Sequence, residues 1–186
     1  MVKLRKVDDK TTGGLFVPTT EIEKPKEGTI VLAGPGKANP ETGALIDCPV
    51  KDGDLVMLSD YSGEKVDYNN EQHIFTDADT LLGYFEDQAL AIKAFRPLGD
   101  LLMVAVADME QETSTGIALA GLEEEEGNSG EVVATGPGRR LYNGDLVPCE
   151  TKPGDSVMYK SRMGQEATLE GKRFIIVSEQ DCLCKW

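Results

Sequence analysis

Apolar residues along this chain fall in short, β-branched runs rather than at helical spacing. Gly28–Ala33, Asp54–Leu58, Leu101–Ala107, Glu131–Thr135, Ser156–Tyr159 and Arg173–Val177 are such runs, bounded by glycine, proline or aspartate. They predict strands joined by turns, because β-branched side chains fit a pleated surface and the bounding residues supply the turn conformations. Only Glu86–Ala94 shows a weak helical period. The class is all-β. Short strands in this number bury their apolar faces best by closing into small barrels, which also removes exposed strand edges.

The pattern then repeats. Gly28-Thr-Ile-Val-Leu-Ala-Gly-Pro-Gly36 is matched by Gly130-Glu-Val-Val-Ala-Thr-Gly-Pro-Gly138, an offset of 102. Cys48, Gly53-Asp54 and Val56-Met57 recur as Cys149, Gly154-Asp155 and Val157-Met158 at an offset of 101. Such a period is too long for a solenoid unit, so each copy is a domain: residues 1–92 and 93–186. The junction around Glu86–Ala94 lacks glycine and proline and predicts a short ordered connection. By the same offset Val2 corresponds to Val104, which leaves the first domain without a counterpart of Arg96–Met103, most of an opening strand.

Charge narrows the partners. Residues 1–94 hold 10 basic and 17 acidic side chains and the remainder 9 and 16, so each half carries -7 of the total of -14. That field repels phosphate backbones and anionic membrane surfaces, which argues against nucleic acid and membrane as partners. The longest apolar stretch, Leu101–Ala107, is far below the roughly 20 residues that span a bilayer. The start, MVKLRK, has neither an apolar core nor a cleavage site of a secretory signal. Four cysteines at irregular spacing do not make a disulfide scaffold, and a reducing compartment is expected.

Two polar stretches stand in equivalent places, Asp9–Glu27 and Gln111–Asn128. Each has glycine at its entry (Gly13 and Gly14; Gly116), charge after it, and one apolar triplet, Leu15-Phe16-Val17 or Ile117-Ala118-Leu119. Stretches of this composition cannot offset their own ordering by burial and are expected to be mobile loops. The triplets have two readings: they fold back on their own barrel, or they dock on a partner.

The second half, from Arg96-Pro97-Leu98 through Gly116-Ile117-Ala118-Leu119, Gly130-x-Val-x-Ala-x-Gly-x-Gly138, the Asn143-Gly144 hairpin and the Lys152-x-Gly154-Asp155 turn, resembles the GroES family of co-chaperonins over nearly all its length. The first half carries the same elements in the same order: Gly13-Gly14-Leu15-Phe16-Val17, Gly28–Gly36, Lys51-Asp52-Gly53-Asp54 and Asp60-Tyr61-Ser62-Gly63. Two such domains in one chain resemble the plastid tandem-domain branch of that family. The resemblance implies two tandem GroES-like β-barrels, each with a mobile loop and a roof hairpin (Lys37–Asp47 and Arg139–Val147). It also implies a role as a cap on a barrel-shaped chaperonin of the GroEL type, closing a folding chamber, in the chloroplast stroma.

On that reading Leu15, Phe16, Val17, Ile117, Ala118 and Leu119 bind the chaperonin, with Gly13, Gly14 and Gly116 as loop hinges. Burying two or three such side chains contributes roughly 1.5–3 kcal/mol each, whereas ordering each backbone residue costs roughly 1–2 kcal/mol. One loop therefore binds weakly, and useful affinity requires several engaging together. This predicts self-association into a ring-like homo-oligomer, with single-domain co-chaperonins as further members. The family's chaperonins offer an odd number of equivalent sites per ring, which chains with two loops each cannot match one to one. No cofactor is expected in this chain; ATP and magnesium belong to the partner.

Other candidate chemistry weakens on inspection. Gly34-Pro35-Gly36 and Gly136-Pro137-Gly138 begin a dinucleotide fingerprint, but Asn39 and Leu141 stand where its third glycine belongs. Cys48 and Cys149 are expected in small buried sites. Cys182 and Cys184, two apart on a terminal strand, are expected to face one side, which suits neither a disulfide nor a complete zinc site. His73, the one histidine, sits beside Glu71 and Gln72 in what reads as a polar turn. Metal sites and catalysis are accordingly not expected. The alternative function is a GroES-like β-barrel module that binds another protein without capping a chaperonin.

Overall fold

The computed structural model describes residues 1–5, 27–43, 45–60, 63–87, 89–106, 128–141, 143–160 and 163–186. The chain divides into two compact units, one built on Met1–Leu98, the other on Gly99–Leu141 and Asp145–Trp186. The strands of the first are β1 (Val2–Leu4), β2 (Glu27–Ile30), β3 (Lys37–Ala38), β4 (Leu45–Ile46), β5 (Leu55–Leu58), β6 (Glu64–Tyr68), β7 (Glu71–Phe75), β8 (Leu81–Phe85) and β9 (Phe95–Pro97). Those of the second are β10 (Leu101–Val106), β11 (Ser129–Thr135), β12 (Arg139–Arg140), β13 (Leu146–Val147), β14 (Ser156–Tyr159), β15 (Gln165–Leu169), β16 (Lys172–Ser178) and β17 (Cys182–Lys185). No α-helix occurs among the described residues; short 3-10 turns precede β8, β9 and β17.

All strand pairs are antiparallel. The first unit holds a sheet in the order β6-β7-β1-β2-β5-β8-β9, the second one in the order β15-β16-β10-β11-β14-β17, and each carries a separate hairpin, β3-β4 or β12-β13. The expected repeat is visible in the register. Val2 lies opposite Ile30 and Ile74, and Val104 lies opposite Val132 and Ile175, the same residues displaced by the sequence offsets.

The two cores correspond as well. Val2, Ile30, Val56, Leu58, Ile74 and Leu81 cluster in the first unit, while Val104, Val132, Val157 and Tyr159 cluster in the second with Ile175 and Cys182 packed against them. Each fully buried aliphatic side chain contributes roughly 1.5–3 kcal/mol, so these short strands are held by their inward faces more than by intrinsic propensity.

Two local expectations are corrected. His73 is not in a turn: it lies buried on β7, its ring edge-on to Tyr68 with centroids 5.9 Å apart, and its Nδ1 is 3.0 Å from the Glu71 carbonyl oxygen. Cys182 and Cys184 do not share a face. The register shifts between Met158 and Tyr159, so Tyr159 faces Cys182 and Met158 faces Cys184, with Leu183 as the extra residue of a bulge. Cys182 packs against the core and Cys184 is exposed. Arg96 and Pro97 lie in β9, which pairs with β8 as Gly83↔Pro97, Tyr84↔Arg96 and Phe85↔Phe95.

Cys48 and Cys149 are half-buried against their respective cores. Burial pushes the Cys149 thiol up to about 11, with help from the carboxylates of Glu179 and Asp100; burial and Glu179 also raise that of Cys182. Since the thiolate is the nucleophile, iodoacetamide at pH 8 is expected to label Cys184 well before Cys149 and Cys182, as followed by peptide mass spectrometry of the folded chain. Equal labelling of Cys149 and Cys184 would contradict this placement.

Each hairpin starts from a glycine in the left-handed region, Gly36 at φ 118° and Gly138 at φ 116°. A Cβ on Gly138 would sit 2.1 Å from the Val147 carbonyl oxygen, whereas one on Gly154, at φ 97°, would meet nothing within 4 Å. Gly138→Ala is therefore expected to cost more stability in urea unfolding than Gly154→Ala, about 2–4 kcal/mol against about 1 kcal/mol.

Candidate functional site

The residues singled out from the sequence, Gly13, Gly14, Leu15, Phe16, Val17, Gly116, Ile117, Ala118 and Leu119, lie outside the described residues. What the structure does describe is the frame from which they are hung. Residues 6–26 leave the end of β1 and return at the start of β2, and residues 107–127 leave β10 and return at β11.

In both units the departing and returning strands are neighbours. Leu4 is opposite Gly28, and the Arg5 amide donates to the Glu27 carbonyl at 3.1 Å; Val106 is opposite Gly130. Each interval is thus closed at its base by the sheet ladder itself, so the residues between begin and end on one rigid support. The first base carries opposite charges: half-burial pushes the Glu27 carboxyl up while Arg5 pulls it down. Nearby on the same strand Lys3 pairs with Glu71 at 2.6 Å. At the second base the Tyr159 amide donates to the Asn128 carbonyl at 2.8 Å, tying the returning chain to β14.

The hairpins form the second candidate surface. In the first, the buried Asn39 takes the Glu41 and Thr42 amides on its Oδ1 at 2.8 and 3.2 Å, which closes the turn after β3. In the second, the turn carries Gly144 at φ 92°, and the Leu141 amide donates to the Asp145 carbonyl at 2.8 Å. Arg139 and Arg140 of β12 are exposed, as are Leu146 and Val147 of β13. Leu45 in β4 is exposed too. Asn39 and Leu141, where a dinucleotide site needs glycine, are thus parts of hairpins, not the start of a helix.

Among the described residues no group of three or more His, Cys, Asp or Glu side chains could hold a metal ion, and no helix is long and apolar enough to cross a membrane. Sequence reasoning passed over one feature: the outer edges of β8 and β17, which differ although the strands are repeat equivalents. Its signal was the pairing of Leu82 and Phe85 with Leu183 and Trp186 at the offset of 101.

The family model for the chaperonin 10 kDa subunit, Cpn10, matches residues 1–85 and again 94–186. Over 184 residues the chain is 31% identical to the chloroplastic 20 kDa chaperonin of Spinacia oleracea, covering 98% of this chain and 71% of that protein. The Arabidopsis thaliana chloroplastic 20 kDa chaperonin is 29% identical over the same shares. The co-chaperonin GroES of Enterococcus faecalis is 44% identical over 88 residues, which are 47% of this chain and 94% of that protein. Two all-β units with matching registers, each carrying its own hairpin and its own strand-bounded interval, agree with those two matched regions: the chain belongs to the Cpn10 family and contains that domain twice in tandem.

Proposed function

We propose that this chain is a co-chaperonin that caps a barrel-shaped, ATP-dependent chaperonin of the GroEL type. Leu15-Phe16-Val17 and Ile117-Ala118-Leu119 make the contact, and the cap closes a chamber in which a client protein folds. The observation that carries the reading is the recurrence of one apolar triplet inside each interval that the sheet closes at its base, in a chain whose two halves both match Cpn10. The role is non-catalytic. ATP and magnesium act on the partner and this chain carries no cofactor.

Several triplets must engage at once, because one loop's burial barely exceeds its ordering cost. That supports a ring-like assembly of several copies, with single-domain co-chaperonins as further members, and the exposed hairpins as its roof. The chloroplastic relatives support a chloroplast location, and the stroma is the compartment proposed within it.

The test is co-migration. Mixed with a chaperonin of the GroEL type and magnesium ATP, the chain is expected to elute with the chaperonin on gel filtration and to be released by excess magnesium chelator. Elution apart from it under both conditions would favour the alternative, a Cpn10-fold module that binds another protein. The triplets also differ in bulk. Leu15→Ser is expected to weaken chaperonin pull-down more than Ile117→Ser, since Leu-Phe-Val buries more apolar surface than Ile-Ala-Leu; a larger loss from Ile117→Ser would reverse the ranking.

A further inference from the structure

The asparagines of the chain are Asn39, Asn69, Asn70, Asn128 and Asn143. The first four are chemically quiet where they stand. Asn39 is buried, its Oδ1 takes the Glu41 and Thr42 amides, and the residue after it is Pro40, whose nitrogen carries no proton to lose. Asn69 is followed by Asn70, whose own side chain crowds the peptide nitrogen between them. The nitrogens that follow Asn70 and Asn128 belong to Glu71 and Ser129, which are held in strand pairs opposite Tyr68 and Met158.

Asn143 differs on each count. It is exposed, and Gly144 follows it. Gly144 stands at φ 92°, and a Cβ there would meet nothing within 4 Å, so the space beside its nitrogen is open. The flanking strands, β12 and β13, are two residues long and exposed, and they pair with each other in a sheet separate from the unit's main one. The turn between them is closed by the Leu141 amide donating to the Asp145 carbonyl at 2.8 Å. A short, exposed hairpin of this kind opens locally at small cost, and glycine adds backbone freedom to it.

We propose that Asn143 is a site of spontaneous modification: its side-chain amide is lost through a cyclic imide, and the isoaspartate that results opens the second hairpin. The Gly144 nitrogen gives up its proton and attacks Asn143 Cγ, forming a succinimide ring as the side-chain nitrogen leaves as ammonia. Water then opens the ring. Cleavage of the bond to Cγ gives aspartate. Cleavage of the bond to the main-chain carbonyl carbon gives isoaspartate, in which the backbone runs through the former side chain and is one carbon longer. One water enters and one ammonia leaves, with no change of oxidation state.

The extra carbon lies inside the turn that sets Arg139 opposite Val147 and Arg140 opposite Leu146. Strands of two residues have few rungs with which to hold that register, and the new carboxylate joins Asp145 at the tip. The first hairpin has no counterpart of this chemistry, because its asparagine is buried and precedes proline. The two domains therefore age differently, whatever partner the chain captures.

The test uses the folded, intact chain, incubated in buffer and sampled over time. Peptide mass spectrometry reads the amide state of every asparagine, and enzymatic methyl transfer from S-adenosylmethionine reads isoaspartate. Asn143 is expected to lose its amide while the other asparagines keep theirs, and faster at alkaline than at acidic pH, because the attacking nitrogen must lose a proton. Gly144→Ala is expected to slow the loss several-fold. Limited trypsin digestion reads the consequence: the isoaspartate form is expected to be cut after Arg139 and Arg140 several-fold faster than the fresh chain. Asn143→Asp, which has the charge without the extra carbon, is expected to be cut no faster than the fresh chain. An Asn143 amide that lasts as long as those of Asn69 and Asn128, or a loss unaffected by Gly144→Ala, would overturn the site. Equal cutting of the fresh and isoaspartate forms, or Asn143→Asp cut as fast as the isoaspartate form, would overturn the opening of the hairpin.

Discussion

The structure depends on one strand in each unit being paired on both sides. β1 lies between β2 and β7, and β10 between β11 and β16, so the backbone donors and acceptors of these strands are divided between two neighbours. Withdrawing either strand would split its sheet and leave two rows of unsatisfied groups. The pairing is unusually close on the side where the long intervals depart. A Cβ on Gly28 would lie 2.5 Å from Val2 Cγ1, and one on Gly130 would lie 2.2 Å from the Ala105 carbonyl oxygen. Glycine at these two equivalent positions lets the returning strand lie tight against the departing one. Both ends of each interval that carries an apolar triplet are fixed by that approach.

Within this frame the two copies have diverged by compensation. Leu58 faces Leu81 in the first unit, and in the second Tyr159 faces Cys182. One side chain has grown and its neighbour has shrunk, so the volume between the strands is roughly kept, which is the kind of exchange cores tolerate best. The raised thiol of Cys182 follows directly, because it takes the place of the buried Leu81 and lies half-buried against the core beside Glu179. Cys184, two residues on, takes the place of the buried Gly83 but is itself exposed. The same sequence interval therefore holds one sulfur against the core and one in solvent.

What the sequence made legible was set by apolar alternation and by repetition. The offsets of 102 and 101 predict the register of β1 and β10 against their neighbours, because a repeat that preserves core residues must preserve which residues face each other. Strands without an apolar face were not legible. β6 is polar on both sides and finds its place only as the hairpin partner of β7, and the hairpin strands are two residues long. His73 was misplaced because its polar neighbours masked a buried position. The cysteine pair was misplaced because a period of two fails at a bulge. Of the candidate site, the sequence supplied the triplets and the structure supplied their supports.

β9 shows how little a tethered strand needs. Its three residues cost roughly 3–6 kcal/mol to order, and burial of Phe95 and Leu98 returns roughly 3–6 kcal/mol. The Arg96–Glu86 pair at 2.9 Å is about half exposed and contributes roughly 0–1 kcal/mol. That near balance suffices because the segment is covalently joined to its own sheet through a short connection, at an effective concentration in the millimolar range.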